Sequence, residues 1–223
     1  MKCMEYKYLQ KVKISPKFGK LLPVDFNPYR LRSIRTYPAE DIYFEIRTYI
    51  LNSGSPDYIW LKGPGDFSLY SGLRRLFKLI HLEYPDQKIG IYANSTLFQR
   101  KDIRDDLQGC DLLAINLNSM DESNFSKLCA CNEPVKLRDV KKGIKEFAKD
   151  FQGHLFIYTM FLKGVNDTVE NVSELKDFMI EIRPNSFSIG EYLEEGFESI
   201  SQEFKKYIKE SFLEVPFEIS FKF

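Results

Sequence analysis

The chain has 223 residues, and its 32 Lys and Arg balance 32 Asp and Glu, for a formal net charge of zero. Apolar residues make up 43% and aromatics 15%, which excludes intrinsic disorder, since that needs low hydrophobicity and usually a large net charge. The even balance also excludes a general polyanion or nucleic-acid binder, and no run approaches 18 uncharged apolar residues, so no membrane-spanning helix is expected.

Along the chain, strand-like and helix-like segments alternate. Leu21 to Phe26 is a short apolar run that predicts a first strand. Pro38-Ala39-Glu40-Asp41 places proline and acids where a helix N-terminus favours them. Ile42, Ile46, Tyr49 and Ile50 then repeat at helical spacing. Tyr58 to Leu61 reads as a buried strand closed by Gly63-Pro64-Gly65, and Leu73, Leu76, Phe77 and Ile80 mark the next helix. Ile89 to Tyr92 predicts a strand, Ile103 with Leu107 a short helix, and Leu112 to Ile115 another strand. Val140, Ile144, Phe147 and Phe151 form the stripe of a longer helix, followed by the strongest strand, Leu155 to Leu162. Val172, Leu175, Met179 and Ile182 predict a helix, Phe187 to Ile189 a strand, and Ile200, Phe204, Tyr207 and Phe212 a last helix. Phe217, Ile219, Phe221 and Phe223 alternate with Glu218, Ser220 and Lys222, the period of a half-buried terminal strand.

This alternation predicts an α/β protein with a parallel sheet and helical crossovers. Its strands are continuous apolar runs because both faces are covered. Six βα repeats fit a partial (β/α)6 TIM-like barrel better than a short open sheet. No Pro/Gly/Ser-rich linker interrupts the chain, so one domain over residues 1–223 is expected, with a core over about 20–192 and a C-terminal helix and strand over 199–223.

Four cysteines stand at 3, 110, 129 and 131, too few and too irregular for a disulfide framework. Cys129 and Cys131 are closer together than a common zinc or redox pair, and neither His81 nor His154 lies nearby. Structural cysteines and no metal site are therefore expected. The start of the chain, Met1 to Tyr6, lacks the apolar stretch of a secretory signal, so a cytoplasmic location is expected.

In parallel βα architectures the ligand site lies at the C-terminal ends of the strands. The residues there are Asp25 and Asn27 after the first strand, Gly63, Gly65 and Asp66 after the second, and Asn94 and Ser95 after the third. Asn116 and Asn118 end the fourth, Asn166 and Asp167 follow the fifth, and Gly190, Glu191 and Tyr192 the sixth. Such residues suit a polar pocket, and they are also what ordinary turns use. The glycine loop lets backbone amides approach a ligand, and Asp66 offers a carboxylate to an ammonium or hydroxyl group. It matches neither phosphate-cradling glycine motif, and no nucleophilic triad is visible.

Read in order, these strand ends resemble the radical S-adenosylmethionine (SAM) superfamily, in particular an uncharacterised branch described as iron–sulfur or molybdenum-cofactor-like. The stretches that carry the resemblance are Asp57 to Asp66, Ile91 to Leu97, Cys110 to Asn118 and Phe151 to Asp167, in register from about residue 20 to residue 192. The resemblance implies a partial barrel in which a CxxxCxxC loop after the first strand holds a [4Fe–4S] cluster, leaving one iron open to bind SAM. It also implies that Gly63, Gly65, Asp66, Asn94, Ser95, Asn116, Asn118 and Asn166 line a cofactor pocket.

The sequence departs from the family at the cluster loop. From Val24 to Tyr37 there is no cysteine, and Arg30, Arg32 and Arg35 stand there instead. The acid of the glycine loop is Asp66 rather than Glu, and Ser95 replaces the glycine of the next strand end. The first reading is therefore a radical-SAM-like protein without the cluster and without catalytic residues for radical chemistry. It would bind SAM or another adenosyl ligand, or a protein or RNA partner. Two alternatives stand beside it. One is an active radical SAM enzyme with a cluster on Cys3, Cys129 and Cys131 or on ligands from a missing segment, and the other an unrelated barrel enzyme using Asp25, Asp66 and Asp167 with a hydrated metal.

Overall fold

Gly19 turns the chain back on itself at φ 72°, a conformation that glycine adopts without steric cost. An added Cβ there would lie 2.3 Å from the Asp57 carboxylate, which accepts a hydrogen bond from Lys20 N at 2.6 Å. The turn joins β1 (Lys13–Ser15) to β2 (Gly19–Val24) as an antiparallel hairpin. This is a computed structural model, and it describes residues 6–25, 37–62, 67–129, 135–193 and 197–223.

The remaining elements follow in chain order: α1 (Ala39–Ser53), β3 (Tyr58–Leu61), α2 (Leu73–Glu83), β4 (Lys88–Asn94), α3 (Lys101–Leu107), β5 (Leu112–Asn116), α4 (Glu122–Cys129), α5 (Leu137–Asp150), β6 (His154–Phe161), α6 (Val169–Ile182), β7 (Ser186–Glu191), α7 (Gln202–Ser211) and β8 (Glu218–Lys222). Short 3-10 segments lie at Phe67–Leu69 and Ser95–Gln99. The strand order is the chain order, β1 to β8. The pairs β2–β3, β3–β4, β6–β7 and β7–β8 are parallel. This is the α/β topology of a partial barrel.

The structure falls into two compact units, one of residues 1–93 and 105–113, the other of 94–104 and 114–223. In the first, Leu22 and Val24 of β2, Ile59 and Leu61 of β3 and Ile89 and Ile91 of β4 are all fully buried. The α1 stripe Ile42, Ile46 and Ile50 and the α2 stripe Leu73, Leu76, Phe77 and Ile80 are buried as well. Each such side chain contributes about 1.5–3 kcal/mol relative to exposure. Pro38 caps α1, and Glu40 and Asp41 occupy its first turn, as the sequence implies.

In the second unit β6 alternates strictly. Leu155, Ile157, Thr159 and Phe161 are buried, while His154, Phe156, Tyr158 and Met160 are half-buried. Val172, Leu175 and Met179 of α6 and Val140, Ile144 and Phe147 of α5 are buried in the same unit. On α5, Gly143 faces the 3-10 segment so closely that an added Cβ would sit 1.8 Å from Phe98 O. Arg104 clasps the same carbonyl with Nη1 at 2.6 Å and Glu146 of α5 with Nη2 at 2.6 Å, while Phe98 meets Phe147 edge-on at 5.4 Å. Gly143→Ala is expected to destabilise by about 1–3 kcal/mol, because a clash with backbone outweighs the ~1 kcal/mol gained in helix propensity. Urea unfolding checks this as a lower midpoint at unchanged slope.

Several expectations needed correction. The first strand starts at Gly19 and ends at Val24, one residue before Asp25, and Phe26 lies outside the described residues. β1 and α4 were not foreseen. In the last helix the buried positions are Lys205 and Ile208, while Phe204 and Tyr207 are only half-buried and Ile200 and Phe212 flank the helix. Among the described residues no helix is long and apolar enough to cross a membrane.

Candidate functional site

Asparagines gather at the strand ends of the second unit because each has a backbone group to serve. Asn166, fully buried, accepts from Leu162 N at 2.6 Å and donates to Asn118 O at 2.6 Å and Met160 O at 3.0 Å. Its side-chain amide thereby uses both protons and its oxygen. Asn171, at the start of α6, donates to Asn166 O at 2.9 Å and accepts from Met120 N at 2.8 Å. Asn118 accepts from Met160 N at 2.9 Å, and Thr159 Oγ1 donates to Leu117 O at 2.5 Å. The result is a closed polar net that joins the end of β5, the end of β6 and the first turn of α6.

Asn94 and Asn116 lie beside this net. Asn94 ends β4 and caps the following 3-10 segment by accepting from Thr96 N at 3.1 Å. Asn116, the last residue of β5, accepts weakly from Ser95 N at 3.4 Å and is half-buried. The side-chain Nδ2 groups of Asn116 and Asn118 have no partner among the described residues, so both amides retain donors for a ligand. Positions 116 and 118 lie two residues apart, on one side of an extended chain.

Beyond these asparagines, the side of the sheet away from the helices carries Tyr158 and Met160 on β6 and Ser188 and Gly190 on β7. Tyr158 pairs with Ser188 and Met160 with Gly190 in register. An added Cβ at Gly190 would lie 3.1 Å from Met160 Sδ, so the glycine leaves room for the thioether. Half-exposed aromatic, thioether and amide groups are what a ring-bearing polar ligand would meet. The sequence reading missed Tyr158 and Met160, although the alternation within residues 154–161 could have revealed them.

Other predicted positions take different roles. Glu191 extends to the helical side of β7 and is buried. It pairs with Lys205 Nζ at 2.6 Å and accepts from Ser199 Oγ at 2.7 Å and Ile200 N at 3.1 Å. Desolvation pushes this carboxyl up, but hydrogen bonds from Lys205, Ser199 and Ile200 N outweigh it and hold its pKa below the ordinary carboxylate value. Asp167 accepts from Gly164 N at 2.7 Å in a turn where Gly164 has φ 75°. His154 Nε2 bonds Ser186 Oγ at 2.7 Å, and His81 sits within α2. Gly63, Gly65, Asp66, Arg30, Arg32, Arg35, Cys3 and Cys131 lie outside the described residues.

The two described cysteines differ. Cys129 ends α4 and is half-buried. Cys110 is buried just before β5, at the N-terminal end of that strand, where desolvation pushes its thiol far above the ordinary range. A buried, protonated thiol is a poor metal ligand. The donor set found in the sequence from Val24 to Ala39, with no thiol, does not fit a three-cysteine iron–sulfur cluster.

No family model matches the chain. Over 151 residues it is 28% identical to a UPF0026 protein of Methanocaldococcus jannaschii, an alignment covering 67% of this chain and 46% of that protein. A protein named GTPase Obg from Brachyspira hyodysenteriae is 26% identical over 149 residues, covering 67% of this chain and 22% of that one. The chain thus spans less than half the length of these two relatives. Among solved structures, a radical SAM methyltransferase from Sphaerobacter thermophilus matches 95% of this chain and 68% of its own, at TM-score 0.65 and 14% identity. Streptococcus suis SuiB bound to S-adenosylmethionine matches 85% of this chain and 44% of its own, at TM-score 0.61 and 18% identity. The fold is that of radical SAM proteins.

Proposed function

We propose that this radical-SAM-like chain binds SAM or a related adenosyl ligand at the ends of its strands and carries out no cluster-dependent radical chemistry. The observation that carries the reading is the absence of any cysteine between Cys3 and Cys110. That stretch contains the whole segment from β2 to α1, where the fold's relatives would need thiolates. A buried Cys110 at the opposite end of β5 offers no substitute.

Support for a retained ligand comes from the unpartnered amide donors of Asn116 and Asn118, with Tyr158 and Met160 on the open side of β6. From the sequence resemblance alone, Asp66 of the glycine loop is the candidate carboxylate for an ammonium group. In this reading Asn166 acts beneath the pocket, holding the strand ends that present Asn118, while Asn94 and Ser95 shape the end of β4.

Thermal unfolding with SAM, S-adenosylhomocysteine and adenosine tests the binding. Ligand at about 100 times its dissociation constant should add roughly 2.7 kcal/mol of stability. Asp66→Ala should remove the response to SAM, and Asn116→Ala should weaken the response to all three. No response to any of them overturns the ligand reading. Anaerobic reconstitution with iron and sulfide is expected to leave the protein colourless, whereas a stoichiometric four-iron centre would overturn the cluster-free reading.

A further inference from the structure

The outer face of α5 is built for a partner that the pocket does not explain. Arg138, Lys141, Lys142, Lys145 and Lys149 follow one another at intervals of one, three or four residues, along a stripe of about 16 Å at 1.5 Å per residue. They border a groove of about 620 Å³ that reaches to the start of α4. Met120 and Leu137 also line it, and both are buried, so the groove has an apolar floor beneath a cationic rim.

Its two acids are already committed. Both oxygens of Glu122 accept from Leu137 N, at 3.2 and 3.1 Å, which caps the first turn of α5. Glu146 is held by Arg104 at 2.6 Å and lies 3.9 Å from Lys142. Lys145 pairs with Glu181 at 2.6 Å and Arg138 with Asp139 at 3.4 Å. Lys141 and Lys149 have no carboxylate partner among the described residues, and Lys141 rests over the Phe178 ring at 5.5 Å. The surplus is therefore positive and close to an apolar surface.

We propose that this groove docks an acidic amphipathic helix of a partner protein. Carboxylates four residues apart on a helix repeat about every 6 Å, the same repeat as Lys141, Lys145 and Lys149 on α5. Apolar side chains between them would reach the Met120 and Leu137 floor, the helix-in-groove mode of peptide recognition. A nucleic-acid backbone would engage the cations but make no use of that floor. The proposal stands apart from the strand-end pocket and does not depend on it.

The experiment is fluorescence anisotropy on the full chain with three labelled probes: a helical peptide of about 20 residues with leucines at i, i+3, i+4 and i+7 flanked by glutamates, the same peptide with glutamine for glutamate, and a single-stranded polyuridine RNA. The acidic peptide should bind, the glutamine peptide at least ten-fold more weakly, and the RNA more weakly still. Lys141→Glu combined with Lys149→Glu should weaken the acidic peptide at least ten-fold with the thermal midpoint unchanged. Lys141→Gln with Lys149→Gln provides the same comparison should the reversal impair folding. Absence of acidic-peptide binding, RNA binding as tight as the peptide, or affinity untouched by the paired substitutions would each overturn the proposal.

Discussion

Lys205→Met is expected to lower stability by about 3–5 kcal/mol, the cost of removing one partner from a buried ion pair. Lys205 donates to Glu191 at 2.6 Å and to Ser199 Oγ at 2.9 Å, and both ionic side chains are buried. With the ammonium gone, the Glu191 carboxylate would stay in a desolvated site with only Ser199 and Ile200 N as donors. At roughly 2–4 °C per kcal/mol for a chain of this size, the midpoint should fall by about 10 °C.

The pH dependence gives the result a second signature. In the native protein the Glu191 pKa lies below its unfolded value. Its contribution is therefore fully present above the ordinary glutamate pKa of about 4.3 and is lost as pH falls through the folded value. In Lys205→Met the sign reverses, because burial without the cation raises the carboxyl pKa. The deficit against the parent should then shrink as pH falls below about 5, and adding Glu191→Gln should recover part of it at neutral pH. A loss independent of pH and unaltered by the second substitution would assign the effect to packing alone.

Asn166→Ala should cost about 3 kcal/mol. It removes the partner of Leu162 N and a donor from Met160 O in a site with no solvent exposure, and leaves Asn118 O only the longer bond from Asn171 at 3.3 Å; each orphaned group costs about 1–3 kcal/mol before relaxation. Asn166→Asp should not rescue it, since an acid keeps the acceptor but supplies neither donor. The contrast is Asn116→Ala, whose side chain makes one long hydrogen bond at 3.4 Å. That variant should melt within about 0.5 kcal/mol of the parent while its response to adenosyl ligands is weakened. Unfolding with and without ligand separates the two residues, and equal behaviour of both variants would refute the division of roles.

Much of this architecture could be read before any coordinates. Leu112 to Ile115 is an apolar run buried throughout, whereas in Tyr58 to Leu61 and Leu155 to Phe161 every second residue is buried and the others are half-buried. The α2 and α6 stripes appear unchanged in the structure, since four apolar residues at helical spacing admit few other folds. β1 escaped notice because three residues of mixed polarity carry no periodic signal. α4 escaped because only Phe125 of its eight residues is buried.

The site was less legible. Asn94, Asn116, Asn118 and Asn166 were picked out by position alone, and position does not tell an asparagine that ties strand ends together from one with a donor to spare. That distinction depends on partners 42 to 48 residues away, as between Asn118 and Met160 or Asn166 and Asn118. The Glu191–Lys205 pair was invisible for a similar reason. A lysine on a polar helix reads as solvated until β7 is seen to bring an acid beneath it.

β8 stands last in the strand order, carrying Glu218 and Lys222 exposed at its two ends. An outermost strand offers a ready template for another molecule's backbone, and charges along it discourage such pairing. Ile219, Ser220 and Phe221 between these charges are half-buried. The same five residues that pair with β7 thus carry charge where another chain's backbone would have to approach.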